Sequence, residues 1–234
     1  MSLNLGIISS SYKAAAPSGN LLLDDYPNAA AAYSLRKLRT AYSGSAIRVR
    51  RSSDNTETDI GFNGLGGLDT TALTTFVGAG NGFITTWYDQ SGNSKNGTQT
   101  TTSNQPQIVN GGVIYTKNSK PAVYNTASKY LSLSSNFTGT SGTLINVSST
   151  FTDPSVPNGS PIGGIGTQAT SSHQPWSDGN IYETFATSVR KTVGNPTNNT
   201  TFLYIYNVVS DVNFFDVKIN NTAFFNTTTN TVKI

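Results

Sequence analysis

Residues 201–228 read TFLYIYNVVSDVNFFDVKINNTAFFNTT, three short runs rich in aromatic and β-branched residues, parted by Asn, Ser, Asp and Thr. Runs of this length and composition predict strands, and the small polar residues between them predict turns. The same texture reaches back toward the middle of the chain through QIVNGGVIYT, PAVYN, KYLSLS, TLINVSS and NIYETFA. Beyond Ser91 no helical period is present. Alternation is visible in KYLSLS and again over Asp216–Ile219, as half-buried strands require when one face meets a core and the other meets water. The abundant Thr and Asn suit the wet face. Many short strands spaced by turn chemistry predict an all-β fold, a sandwich of the jelly-roll type.

The first third differs. From Asn28 the run NAAAAYSLRKLRTAYSG has the strongest helical propensity in the chain, with Asn28 as N-cap, Tyr33, Leu35, Leu38 and Tyr42 as a partly apolar face and Gly44 as terminator. A second short helix is predicted over LDTTALTTFVG, capped by Asp69 and closed by Gly78. Between them AIRVRRSSD alternates only approximately but ends in a turn cluster, which predicts a strand. GFITTWYDQSG, after the second helix, predicts another. Residues 1–20 hold no period, and residues 1–26 are expected to form an extended N-terminal arm, a candidate docking segment. Residues 27–234 then form one sandwich domain, a size ordinary for a single β core of roughly 200–250 residues. No repeat of 20–50 residues is present, which excludes propellers and solenoids.

Composition excludes several functions. Charged residues are 12% of the chain and the formal net charge is +3, which is no nucleic-acid footprint. The one dense basic stretch, Arg36 to Arg51, reads either as an anion- or glycan-binding patch or as solvated faces and internal pairs with Asp54 and Asp59. Cys is absent and there is one His, His173, so disulfides, thiolate zinc sites, cysteine nucleophiles and multi-histidine metal sites are all excluded. No cofactor is expected. The opening residues have no basic region followed by an apolar run, and no stretch of about 18 apolar residues occurs, so neither a recognisable export signal nor membrane insertion is expected.

The segment IRVRRSSDNTETDIGF (47–62), with FITTWYDQSGNSKNGTQ (83–99) and NQPQIV (104–109), resembles the amino-terminal half of the catalytic domain of fungal α-L-arabinofuranosidases of glycoside hydrolase family 54. The same blocks, with AAYSLRKLRTAYSG before them, are similar to concanavalin-A-like, laminin-G-like modules of virion proteins of tailed phages, cyanophages especially. The likeness is strong over residues 28–110 and weaker through SSHQPWSDGNIYETF and residues 203–232. It speaks more to fold than to activity.

The glycosidase resemblance implies two carboxyl groups about 5 Å apart, nucleophile and acid/base, in the second half of the chain. Only two Glu are present, Glu57 and Glu183. Glu183 needs a partner such as Asp178, Asp211 or Asp216, and none of these sits in a recognisable family motif. The virion resemblance implies a non-catalytic surface protein, a capsid decoration, head-fibre or tail-associated subunit. Such a protein is made in the host cytoplasm, displayed on the virion surface, partnered by other virion proteins or by copies of itself, and able to touch cell-surface polysaccharide. Absent a catalytic pair, this is the expected function, with an arabinofuranosidase-like hydrolase acting on host polysaccharide as the alternative.

Two clusters are candidate sites. Trp176 beside His173, Gln174 and Asp178 mixes a stacking ring with polar groups, as sugar binding requires; a core aromatic is the plainer reading. Asp89, with Gln90, Asn93 and neighbouring Ser91 and Asn96, has oxygen ligands suited to a glycan or Ca²⁺. Its plainer reading is a hydrogen-bonded turn in which Asp89 holds backbone N–H groups and Gly92 supplies a positive φ. The acids of DNTETD lack calcium-loop spacing and read better as an Arg-paired turn.

Overall fold

The structure, a computed structural model, describes residues 19–126, 129–133, 137, 139, 141–150, 172–196 and 201–232. These residues are mostly β. A seven-stranded sheet contains β1 (Ile47–Arg51), β2 (Glu57–Ile60), β3 (Gly82–Trp87), β4 (Gly97–Thr98), β5 (Gln107–Asn110), β6 (Val113–Ile114) and, beyond a small hairpin of β7 (Thr116–Lys117) and β8 (Lys120–Pro121), β9 (Ser132–Leu133). β3 is its hub, pairing with β1 on one edge and with β4 and β5 on the other. A four-stranded antiparallel sheet follows, made of β10 (Gly142–Ser148), β13 (Tyr204–Asp211), β14 (Phe214–Ile219) and β15 (Thr222–Thr227) in that order. The separate hairpin β11 (Ile181–Glu183) and β12 (Lys191–Gly194) precedes β13 in the chain. No helix among the described residues is long and apolar enough to cross a membrane.

Burial follows the alternation. In β13 Tyr204, Tyr206, Val208 and Ser210 are buried, and in β14 Phe215, Val217 and Ile219. The buried apolar residues divide into two clusters. One gathers Ile47, Val49, Ile60, Leu73, Ile84 and Ile108 around the first sheet. The other gathers Ile181, Val193, Tyr206, Val208, Phe215 and Val217 from the second sheet and the β11–β12 hairpin.

The imperfect alternation of AIRVRRSSD has a structural cause. Between Arg48 and Val49 the register against β3 shifts, so Val49 and Arg50 are both buried in succession. A buried guanidinium needs acceptors. Arg50 finds Gln105 Oε1 at 2.8 Å and Asn55 Oδ1 at 2.7 Å and lies over the Phe83 ring. Two other arginines of the basic stretch pair outward, Arg48 with Asp59 at 2.9 Å and Arg51 with Asp54 at 2.6 Å. Asp54 and Asp59 of DNTETD are thus Arg-paired, while Glu57 accepts the Thr85 hydroxyl at 3.2 Å.

The helix α2 (Thr70–Val77) forms where expected. Asp69 accepts the Ala72 N–H at 2.9 Å, and Gly78 closes the helix at φ +63°. The stronger helical signal fails: residues 28–44 contain no helix. Helix formation there would consume backbone groups that the turn after β3 instead claims through side chains, as described below. Of the expected arm, only residues 19–26 are described. Residues 1–18 lie outside the described residues, but Leu22–Asp25 is a helical turn, α1, whose buried Leu23 donates its N–H to Leu38 O at 2.8 Å.

Candidate functional site: a buried carboxylate on the second hairpin

Ser172 to Glu183 forms a tight excursion whose two limbs meet at a bridge between His173 and Tyr182, paired through both backbone hydrogen bonds (2.8 and 2.9 Å). Because side chains alternate along extended chain, the bridge sorts them by face. Ser172, Gln174, Ile181 and Glu183 turn inward and are buried, while His173, Trp176 and Tyr182 are half-buried on the outward side.

Glu183 is fully buried. A carboxylate in that position requires donors, and it has four. Oε1 accepts the Ser172 hydroxyl and the backbone N–H groups of Thr184 and Phe185, each of the latter at 2.8 Å. Oε2 accepts only Gln174 Nε2, at 3.2 Å. The two oxygens are therefore unequal: Oε1 is saturated, and Oε2 keeps lone-pair capacity. Tyr206, from β13, is fully buried and is a neighbour of this carboxylate. Burial above all, then the negative charge of Glu183, pushes the Tyr206 phenol well above its ordinary range.

None of the acids expected to partner Glu183 shares its face. Asp178 accepts the Tyr182 hydroxyl at 2.6 Å and the Asn180 N–H at 2.8 Å on the outward side, and the Tyr182 bond holds its carboxyl below the usual carboxylate range. Asp216 stands opposite in parity to buried Phe215 and Val217, near Lys218, and Asp211 is exposed at the end of β13, opposite in parity to Tyr206. Among the described residues no group of three or more His, Asp or Glu side chains gathers to hold a metal ion.

The sugar-binding cluster is split by the same alternation. Trp176 and His173 come together on the outward face, ring centroids 4.2 Å apart, with Asp178 beside Tyr182 and the Arg190 guanidinium 4.2 Å above the Tyr182 ring. Gln174 does not join them; it is fully buried and bound to Glu183. Burial, then the charge of Arg190, lowers the His173 pKa.

At the other cluster the side chains are engaged in a hydrogen-bonded turn. Asp89 takes the backbone N–H groups of Ala32 (2.8 Å), Ser91 (2.8 Å) and Lys95 (3.0 Å) and the Ser91 hydroxyl (2.8 Å), which occupy its acceptor sites; Gly92 has φ +97°. Gln90, fully buried, accepts the Leu38 N–H at 2.8 Å and donates to Ser34 O and Arg36 O, both at 3.0 Å. Asn93 donates to Ala29 O at 3.0 Å and Ala30 O at 3.2 Å. Together they clamp residues 29–38 in an extended path, which is why the predicted helix is absent.

Residues 24–136, close to half of the chain, match the family model described as alpha-L-arabinofuranosidase B, catalytic. That part is therefore related to the catalytic domains of glycoside hydrolase family 54. Over 94 residues the chain is 38% identical to a probable alpha-L-arabinofuranosidase B of Aspergillus clavatus, a stretch covering 40% of this chain and 19% of that protein. The fold is shared with a GH54 α-L-arabinofuranosidase soaked with a cyclic sulfate inhibitor (TM-score 0.58, 17% identity, 87% of this chain and 53% of that one). It is shared too with a Glu→Gln mutant of a GH54 α-L-arabinofuranosidase soaked with 4-nitrophenyl α-L-arabinofuranoside (0.59, 18%, 87% and 52%). An arabinofuranosidase complexed with arabinofuranosyl-α-1,2-xylobiose is similar at TM-score 0.51 and 18% identity, over 85% of this chain and 50% of that one. The chain spans about half the length of these solved relatives and about a fifth of the curated one.

These likenesses overturn the expectation of a non-catalytic protein on a phage virion surface, and with it the virion location: every relative named is an arabinofuranosidase and none is a capsid, head-fibre or tail protein. The error has a physical source. RRSSDN and YDQSG build a paired turn and a backbone clamp, scaffold that a binding module and a hydrolase use alike, so they carry no information on which of the two the chain is.

Proposed function

We propose that the chain is part of an arabinofuranosidase-like glycoside hydrolase acting on α-L-arabinofuranosides, its two sheets arranged as a concanavalin-A-like jelly roll and Glu183 serving as nucleophile. The observation that carries the reading is the match of residues 24–136 to the arabinofuranosidase B catalytic family. Glu183 fits the role by elimination and by geometry. It is the one Glu of the second half, and its Oε1 is fixed by three donors while Oε2 retains an unshared pair with which to attack an anomeric carbon. A retaining mechanism also needs an acid/base carboxyl roughly 5 Å away; of the acids considered for it, Asp178 is bound to Tyr182 and Asn180 on the outward side and Asp211 is exposed. Trp176, His173 and Asp178, on the outward face of the same excursion and opposite Glu183, are proposed to meet a glycan at a surface apart from the reacting centre.

The test is hydrolysis of 4-nitrophenyl α-L-arabinofuranoside by wild type, Glu183→Gln and Glu183→Ala. Wild type turns over, Glu183→Gln loses activity by roughly a thousandfold or more, and sodium azide, a small anion able to occupy the vacated space, restores turnover to Glu183→Ala. Wild-type protein that releases no nitrophenol removes the proposal.

A further inference from the structure

Two fully buried polar atoms beside Glu183 lack hydrogen-bond partners of ordinary geometry: the Tyr206 hydroxyl and Gln174 Oε1. A buried orphan of this kind costs on the order of 1–3 kcal/mol and is uncommon in folded proteins. That two of them lie beside one buried carboxylate calls for a reason beyond packing. Replacing Tyr206 by an apolar ring would fill the same core space without the orphan. Gln174 is itself held in place, since its backbone carbonyl accepts the hydroxyl of Tyr204, which lies two residues from Tyr206 on the same face of β13, at 3.4 Å.

We propose that Tyr206 is a positioning residue for Glu183: its buried hydroxyl lies against the carboxylate and, with the Gln174 side chain, restricts how that carboxylate can rotate. The proposal rests on the reading of Glu183 as nucleophile for its catalytic consequence, but the contact itself does not. Oε1 is fixed from the local backbone, by Thr184 and Phe185, and so stays in place whatever β13 does. Among the described residues Oε2 has no backbone donor and takes one bond, from the Gln174 side chain. Loss of the Tyr206 hydroxyl therefore leaves the carboxylate in its site but free to rotate about its Oε1 anchor.

The chain has two Glu, so labelling with [δ-¹³C]glutamate gives two side-chain carboxyl resonances, and Glu183→Gln assigns them. In Tyr206→Phe the Glu183 resonance moves while that of Glu57 stays. On 4-nitrophenyl α-L-arabinofuranoside kcat falls roughly tenfold with KM held within about twofold, the signature of lost alignment without lost binding. A Glu183 resonance superimposable on wild type overturns the proposal. A moved resonance in a protein whose wild type hydrolyses nothing upholds the contact and overturns the hydrolase reading instead. Should Tyr206→Phe not fold, wild type decides alone. A buried hydroxyl held against a carboxylate exchanges slowly and gives a downfield proton signal with cross-peaks to the Tyr206 ring; its absence overturns the proposal.

Discussion

Gln90→Leu tests the clamp that replaces the predicted helix. The side chain is fully buried and makes three hydrogen bonds to backbone groups 52 to 56 residues away in sequence, to Leu38 N, Ser34 O and Arg36 O. Leucine keeps nearly the same volume but offers none of them, so the loss isolates hydrogen bonding from packing. At about 1 kcal/mol net per bond the substitution destabilises by about 3 kcal/mol, the half-buried backbone groups regaining water in part. For a chain of this size that is a fall in Tm of roughly 6–12 °C. Thermal and urea unfolding followed by circular dichroism measure it, with hydrogen exchange at the Leu38 amide as the local reporter. Val113→Thr, at a site 70% exposed, is the control and stays within about 0.5 kcal/mol of wild type. A Gln90→Leu protein destabilised by less than about 1 kcal/mol, with unchanged exchange at Leu38, refutes the argument that this side chain decides the path of residues 29–38.

Two further outcomes are expected. Asp69→Ala removes the cap of α2 and destabilises by about 1 kcal/mol in urea unfolding, because the Ala72 N–H loses its acceptor. His173, the single histidine, titrates by NMR below its ordinary value of 6.5, and Arg190→Ala moves that midpoint upward by removing a neighbouring positive charge. The sign for stability follows. A base whose folded pKa is depressed binds more protons when unfolded, so its contribution is complete above about pH 6.5 and is lost as pH falls from there through the folded value. A midpoint at or above 6.5 would show that the ring is neither desolvated nor close to Arg190.

Strands were legible wherever one face is buried, because period-two patterning is written into a single segment. Tyr204, Tyr206 and Val208, and then Phe215, Val217 and Ile219, alternate as the strand rule demands. The α2 boundaries were legible for a similar local reason, a capping Asp69 and a closing Gly78. Residues 28–44 misled because propensity is local and the competing bonds are not. Nothing between Asn28 and Gly44 announces that Asp89, Gln90 and Asn93 will take its backbone groups. At the candidate site Glu183 was visible as an isolated acid. Its neighbours Ser172 and Tyr206 were missed, although the alternation of β13 already placed Tyr206 inward. Gln174 was grouped with Trp176 by proximity in sequence, a grouping that fails wherever extended chain sends adjacent side chains to opposite sides.

The separation of the buried residues into two clusters bears on how such a chain changes over time. Substitutions that share no partners act independently, so a mutation absorbed by the packing around Ile84 exerts little pull on the choice of residue at Val217. One half can therefore be held nearly constant in descent while the other drifts. The matched stretch, residues 24–136, takes in the whole of the first cluster and none of the second. Lineages sharing this scaffold are thus expected to preserve a recognisable front and to vary behind it, on the side that carries Glu183.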